Sequence, residues 1–126
     1  MKKLLLLLVL TLSVFTFAQS KEISYIYKNV ITIENDQTNT FNTPVNVTYF
    51  YNDDYIVKVN FAKKNYFYTI ISAPVHKYKD NLYYYQFNVK DSSGNTIVMI
   101  VFDEVGKYGC MFTDGKTTIS YSNVEQ

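Results

Sequence analysis

The chain has little of the chemistry that most enzymes and metal-binding proteins use. Its 126 residues contain no tryptophan, one cysteine (Cys110) and one histidine (His76). One cysteine cannot form an internal disulfide, so the fold must rest on packing. One histidine leaves few of the side-chain groupings that bind metals or activate a nucleophile. We therefore expect a protein that is not an enzyme, with no catalytic residue, no metal site and no cofactor.

Arginine is also missing, and this argues against nucleic acid as a partner. All twelve basic residues are lysine, and Lys2 and Lys3 fall in the leader described next. The other 10 lysines face 11 acidic residues, a net charge of 10 − 11 = −1. A near-neutral surface does not attract a phosphate backbone, and bidentate recognition of phosphate or guanine favours arginine.

The first 18 residues have the three-part pattern of a secretory signal peptide. Lys2 and Lys3 precede an apolar run of 14 residues, Leu4 to Phe17, and a small residue, Ala18, ends the segment. The run is shorter than the ~20 residues of a membrane-spanning helix. The sequence predicts a signal peptide at 1–18 and one domain at 19–126, exported in soluble form to the periplasm or the cell exterior. An N-terminal anchor that is never cut is the alternative.

After residue 21 the chain is typical of short β-strands. Apolar and polar residues alternate, β-branched and aromatic residues dominate, and turn residues separate the runs. In the predicted strand 55–61, Val57 and Val59 are expected to face inward and Lys58 outward. The segments 35–43 and 73–81 are interpreted as polar loops, and the last residues as frayed. Eight strands are predicted, at 22–34, 45–51, 55–61, 66–72, 82–89, 96–102, 107–112 and 119–121.

These eight strands predict an all-β fold. No connection is long enough for a crossover helix, so neighbouring strands should pair antiparallel as a meander. Pairing the first strand with the eighth would remove both sheet edges and close a small eight-stranded barrel. A two-sheet β-sandwich is the alternative, with the loops at 35–43 and 73–81 crossing between sheets. Most of the strands are shorter than the about 9–11 residues of an outer-membrane barrel.

Thirteen tyrosines are the most distinctive feature of the composition. A buried phenol without a hydrogen-bond partner costs about 1–3 kcal/mol, so they cannot all lie in a dry centre. Some hydroxyls must reach a barrel mouth, water or a ligand. By the alternation, nine tyrosines fall on the inner face: Tyr25, Tyr27, Tyr49, Tyr51, Tyr55, Tyr83, Tyr85, Tyr108 and Tyr121.

These aromatic side chains point to binding without catalysis. We expect a pocket for a small, partly apolar molecule, or a surface for a protein partner. The predicted ligand-binding residues are Tyr49, Tyr51, Tyr55, Tyr83 and Tyr85. The alternative is a structural or interaction module of the cell surface or envelope, whose rings fill the core. A buried acid beside His76 would instead favour an enzyme.

The segment from Val45 to Tyr121 resembles small secreted β-meander proteins of uncharacterised function from Gram-negative bacteria. The shared features are a leader ending near Phe17-Ala18-Gln19, a turn from Asp91 to Gly94, and a late Gly109-Cys110 strand. The chain is more distantly similar to lipocalins, although it lacks the tryptophan of their early Gly-x-Trp motif. The resemblance implies a small secreted β fold and no particular activity.

Overall fold

A computed structural model describes residues 21–51 and 55–124. The predicted signal peptide at 1–18 and the turn at 52–54 lie outside these residues. The described part is 68% strand and contains no helix. It therefore contains no helix that is long and apolar enough to cross a membrane. The all-β class predicted from the alternation is confirmed.

The described residues form eleven strands, which we number along the chain. They are β1 (Glu22–Tyr27), β2 (Asn29–Glu34), β3 (Gln37–Phe41), β4 (Val45–Tyr51), β5 (Tyr55–Phe61), β6 (Lys64–Ile70), β7 (Val75–Lys79), β8 (Leu82–Lys90), β9 (Thr96–Phe102), β10 (Cys110–Thr113) and β11 (Thr117–Ser122). All pairings are antiparallel, as predicted.

The strands form one sheet in the order β1-β4-β5-β6-β8-β9-β10-β11-β2-β3, with β7 beside β8. The two ends of this order, β1 and β3, do not pair with each other. The predicted closure into an eight-stranded barrel is therefore not found among the described strands, and neither are the two separate sheets of a sandwich. The physical reason lies in the predicted first strand, 22–34, which divides at Lys28: β1 pairs with β4 at one end of the order, and β2 pairs with β11 near the other end.

The sheet nevertheless curls strongly. Tyr68 on β6 and Phe112 on β10 are three strand steps apart, which is about 14 Å in a flat sheet. Their ring centroids are only 4.4 Å apart. One face of the sheet is therefore folded onto itself and encloses the core.

The core fills the centre of the curled sheet. Val57 and Val59 are fully buried and Lys58 is half-buried, which confirms the predicted inner face of β5. Cys110 is fully buried among aliphatic and aromatic side chains. The buried hydrophobic residues are Tyr27, Val30, Val45, Val47, Val57, Val59, Phe87, Val89, Met99, Cys110, Phe112 and Tyr121.

The predicted strand 22–34 is interrupted at Lys28, where the inward face changes parity. Tyr27 is buried, as the alternation predicts, but beyond Lys28 both Asn29 and Val30 are buried and Ile33 is exposed. Unbroken alternation along the predicted strand 22–34 would place Ile31 and Ile33 on the face of Tyr27, and the structure contradicts this. The break at Lys28 between β1 and β2 changes which residues face the core. A strict alternation with a period of two does not predict such a change.

Both segments interpreted as loops contain strands. β3 lies in 35–43 and follows the tight turn Asn35-Asp36, and β7 lies in 73–81 and precedes the tight turn Asp80-Asn81. All four turn residues have a positive φ. Asparagine and aspartate tolerate this left-handed conformation, which two-residue hairpins require. β3 and β7 are exposed throughout and bury no face, so they lack the alternation by which the other strands are recognised.

The break at Lys28 is held by residues near the C-terminus, which is not frayed up to Val124. The Asn123 side chain accepts a hydrogen bond from the Lys28 backbone N–H at 2.9 Å. Its amide donates to the carbonyls of Ile26 and Gly106, both at 2.9 Å. Asn29 donates to the Val124 carbonyl at 2.6 Å. One side chain thus joins the connection between β1 and β2 to the turn before β10.

We expect Asn123→Ala to destabilise the fold by about 2 kcal/mol, because it removes three hydrogen bonds at the junction. The free energy of unfolding in urea, followed by far-UV circular dichroism, measures this loss. Asn60→Ala is the matched control: it removes one exposed side-chain bond, to Asn65, and should cost less than about 0.5 kcal/mol. Equal losses for the two variants would contradict the role given to Asn123.

Candidate functional site

An open pocket of about 370 Å³ lies at one end of the curled sheet, where β1 and β4 face β8 and β9. Three tyrosines line it, Tyr25, Tyr49 and Tyr85. The remaining lining consists of Ile23, Val101, Phe102, Val105 and a single acid, Asp103. A mainly apolar pocket with a few polar groups is the usual form of a small-molecule site.

The structure brings together two of the five predicted ligand-binding tyrosines. Tyr49 and Tyr85 line the pocket, and Tyr51, Tyr55 and Tyr83 do not. Tyr51 and Tyr55 face each other across the end of the β4–β5 hairpin. Their part in binding stays a prediction.

The expectation that nine tyrosines point into the centre needs correction. Tyr27 and Tyr121 are buried, and Tyr25 and Tyr49 pack against the core. Four others are largely exposed: Tyr51 at 42%, Tyr55 at 57%, Tyr83 at 54% and Tyr85 at 42%. Tyr83 and Tyr85 share the parity of buried Phe87 and Val89, but the strand ends extend beyond the core.

The Tyr49 hydroxyl is a buried polar atom without a hydrogen-bond partner among the described residues. Its ring lines the pocket while the hydroxyl lies in the interior, near the Cys110 thiol and Tyr27. Burial raises the pKa of Tyr49 well above its usual value, and the neighbouring Cys110 and Tyr27 raise it further. The Tyr27 hydroxyl, in contrast, donates to the Val105 carbonyl at 2.8 Å.

Next to the pocket, His76 lies against aromatic rings and an acid. Its imidazole stacks on Tyr85 and Tyr83, with ring centroids 4.5 and 5.4 Å apart. Its Nε2 lies 3.1 and 3.0 Å from the two carboxylate oxygens of Asp103. Both side chains are exposed, His76 at 44% and Asp103 at 41%. This is not the buried acid beside His76 that would favour an enzyme, and an exposed pair contributes little to stability.

The segment after β9 forms one wall of the pocket and is fixed at several points. Tyr27 holds Val105, and the Phe102 N–H donates to the Gly109 carbonyl at 3.0 Å. Gly109 has a φ of +71°, and a Cβ there would collide with the Tyr121 carbonyl. Only glycine fits this approach of the wall to β11. The wall is therefore set by the fold before any ligand binds.

Cys110 lies in the core, where thiol chemistry is disfavoured. Burial raises the pKa of its thiol to about 12. A protonated, buried thiol is a poor nucleophile and a poor metal ligand. Among the described residues, no group of three or more histidine, cysteine, aspartate or glutamate side chains could hold a metal ion.

Six of the eight residues that line the pocket are missing from the predicted site, and two of these six, Tyr25 and Asp103, have polar side chains. Tyr25 was assigned to the inner face but not to the ligand, because its partner across the pocket, β8, is distant in sequence. Asp103 follows the predicted strand 96–102 and was therefore not considered for the site. Met99, Val101 and Asp103 share one parity, so continuing the alternation of β9 by one residue would have placed Asp103 on the inner side.

A second, smaller pocket of about 220 Å³ lies at the opposite end of the sheet and has no charged residue in its lining. Tyr66 and Tyr68 contribute to it. From the sequence, Tyr66, Tyr68, Tyr78 and Tyr84 are also candidates for an exposed aromatic patch. Tyr68 packs on the core and Tyr84 lies beside Phe102, whereas Tyr66 and Tyr78 are exposed.

The chain matches no protein-family model, no curated protein and no solved structure.

Two buried phenols give opposite expectations for the loss of a hydroxyl. Tyr27→Phe removes a hydrogen bond and leaves the Val105 carbonyl without it, so we expect a loss of about 1–2 kcal/mol. Tyr49→Phe removes a hydroxyl without a partner, so stability should stay the same or rise by up to about 1 kcal/mol. Urea unfolding of both variants measures the difference. A loss for Tyr49→Phe equal to that for Tyr27→Phe would show that the Tyr49 hydroxyl is satisfied.

The buried thiol and phenols predict that the fold loses stability in alkali. Burial raises the pKa of Cys110, Tyr27, Tyr68 and Tyr121 above their ordinary values, which are 9.0 for cysteine and 10.0 for tyrosine. The unfolded chain therefore releases these protons first, and rising pH favours unfolding. We expect the free energy of unfolding to be unaffected by these groups below about pH 8 and to fall steadily above pH 9.

Urea unfolding at a series of pH values, with tyrosinate absorbance recorded on the native protein, tests this. Tyrosines in the core should ionise only as circular dichroism reports unfolding. In Cys110→Ala the decline should begin nearer the ordinary tyrosine value, because the group with the lowest unfolded pKa is gone. Ionisation of all tyrosines at their ordinary value, in a chain that stays folded, would contradict the burial.

Proposed function

We propose that the protein is an exported binding protein that holds a small, partly apolar molecule in the pocket lined by Tyr25, Tyr49 and Tyr85, without catalysing a reaction on it. The observation that carries this proposal is the pocket itself, a preformed and mainly apolar recess beside a filled core. Aromatic faces supply contact area there, and phenol and carboxylate groups are available to orient a ligand.

The chemistry around the pocket supports binding over catalysis. The thiol of Cys110 is buried and its pKa is raised, so it is a poor nucleophile. His76 and Asp103 pair in an exposed position, where water screens their interaction. Export is proposed from the leader at 1–18, and the resemblance to secreted β-meander proteins is consistent with it.

A specific observation favours a second function, that of an interaction module. Four rings form a continuous ladder on the exposed β7–β8 hairpin: His76 stacks on Tyr83 and on Tyr85, and Tyr78 lies tilted against Tyr83. Such a ladder suits contact with a protein partner, because interface cores are enriched in tyrosine. Tyr85 belongs to both the ladder and the pocket, so variants of the other members separate the two functions.

Titration with Nile red, a neutral dye that brightens in apolar surroundings, tests the pocket. We expect one dye molecule per chain, and Tyr85→Ala should weaken its binding by at least about tenfold, or about 1.4 kcal/mol. Tyr83→Ala is the matched control, because Tyr83 also stacks on His76 but lies outside the pocket. Its affinity for the dye should stay close to that of the unmodified chain.

Equal weakening by Tyr83→Ala and Tyr85→Ala would show that the dye binds the exposed ladder, and would favour the interaction module. Tyr51→Ala extends the test to the residues predicted from the sequence. A loss of affinity in that variant would place the end of the β4–β5 hairpin in the site.

A further inference from the structure

The pocket has an unusual balance of charge. Asp103 is the only one of its lining residues with a formally charged side chain at neutral pH, and that charge is negative. The remaining polar groups that the lining offers to a ligand are the phenols of Tyr25 and Tyr85, because the Tyr49 hydroxyl is buried in the interior. No lysine contributes to the lining, so nothing in it neutralises an anionic ligand.

The carboxylate of Asp103 keeps capacity to accept a further hydrogen bond or a positive charge. Both of its contacts to His76 involve the single atom Nε2, at 3.1 and 3.0 Å. One ring nitrogen carries at most one hydrogen, whereas a carboxylate has about four lone-pair positions. A ligand cation beside Asp103 therefore has acceptor positions available.

The aromatic lining also favours a positively charged ligand. The face of an aromatic ring is negative and attracts cations, and sites for alkylated ammonium groups are often built from several aromatic side chains. Tyr25 and Tyr49 lie edge to face with centroids 6.1 Å apart, so the two rings present differently oriented surfaces. The chain already contains one contact of this kind, with Lys107 Nζ at 5.1 Å from the Tyr108 ring centroid.

We propose that this pocket binds an organic cation, an ammonium group with apolar substituents, with the positive charge beside Asp103 and the substituents against the tyrosine rings. This inference rests on the proposed function and specifies its ligand class. An anionic ligand would be repelled by Asp103. A neutral apolar ligand would remove water from the carboxylate without replacing the lost interaction, which is costly.

Choline and its neutral analogue, the alcohol in which a quaternary carbon replaces the nitrogen, test the proposal by isothermal titration calorimetry. The two molecules have nearly the same shape and differ in charge. We expect choline to bind at least about tenfold more tightly than the alcohol, and to displace Nile red from the pocket. Sodium chloride at equal ionic strength controls for screening.

Two acidic neighbours supply matched variants. Asp103→Asn keeps the shape of the side chain and removes the charge, so it should abolish the preference for choline. Glu104→Gln makes the same change in net charge at a residue outside the lining, and should leave the preference intact. Circular dichroism shows whether each variant is folded.

A preference that is absent, or that survives in Asp103→Asn, would overturn the organic-cation proposal. Nile red binding that depends on Tyr85, with no displacement by choline, would leave the proposed pocket standing while its ligand class fails. Nile red binding that does not depend on Tyr85 would overturn the pocket as well.

Discussion

The fold depends on the reversal of facing at Lys28. Tyr27, Asn29 and Val30 are all buried, so the strict alternation is lost there, and the two strands on either side pair far apart in the sheet, β1 with β4 and β2 with β11. The sheet can then curl around its core although its terminal strands do not pair. Asn123 holds the reversal through hydrogen bonds to the backbone on both sides of it. The connection between β1 and β2 passes from one end of the strand order to a strand near the other end, whereas a barrel would pair the terminal strands directly.

The pattern of apolar and polar residues located every strand that buries a face, but it joined β1 and β2 into one predicted strand, 22–34. Val57 and Val59 are buried as predicted, and the apolar run of β9 has no exposed residue between Ile97 and Phe102. β3 and β7 were missed because both of their faces are exposed to solvent, so their sequences need no alternation of apolar and polar residues. The closed barrel was inferred from the cost of open edges, and short polar edge strands such as β3 are another way to manage that cost.

The candidate site was predictable only in part, because it is assembled from strands that are distant in sequence. Tyr49 and Tyr85 were identified from the wealth of tyrosine on one face. Tyr25 and Asp103 complete the pocket only when β1 and β4 are folded over β8 and β9. The alternation in the sequence predicts on which face of the sheet a residue lies, but it does not predict how far the core extends along a strand. For that reason Tyr51, Tyr55 and Tyr83 were expected to lie inside and are exposed.

The distribution of phenols explains why an open pocket and a filled core occur together. The centre is occupied by valine, methionine and cysteine, which need no hydrogen bond, and by phenols such as Tyr27 whose hydroxyl reaches a backbone carbonyl. A fully enclosed tyrosine with no acceptor within reach carries the cost of an unsatisfied hydroxyl, as Tyr49 does. An opening to solvent removes that cost for Tyr25 and Tyr85. The same opening leaves their rings accessible beside Asp103, so the constraint that limits the core also creates the recess where a ligand can bind.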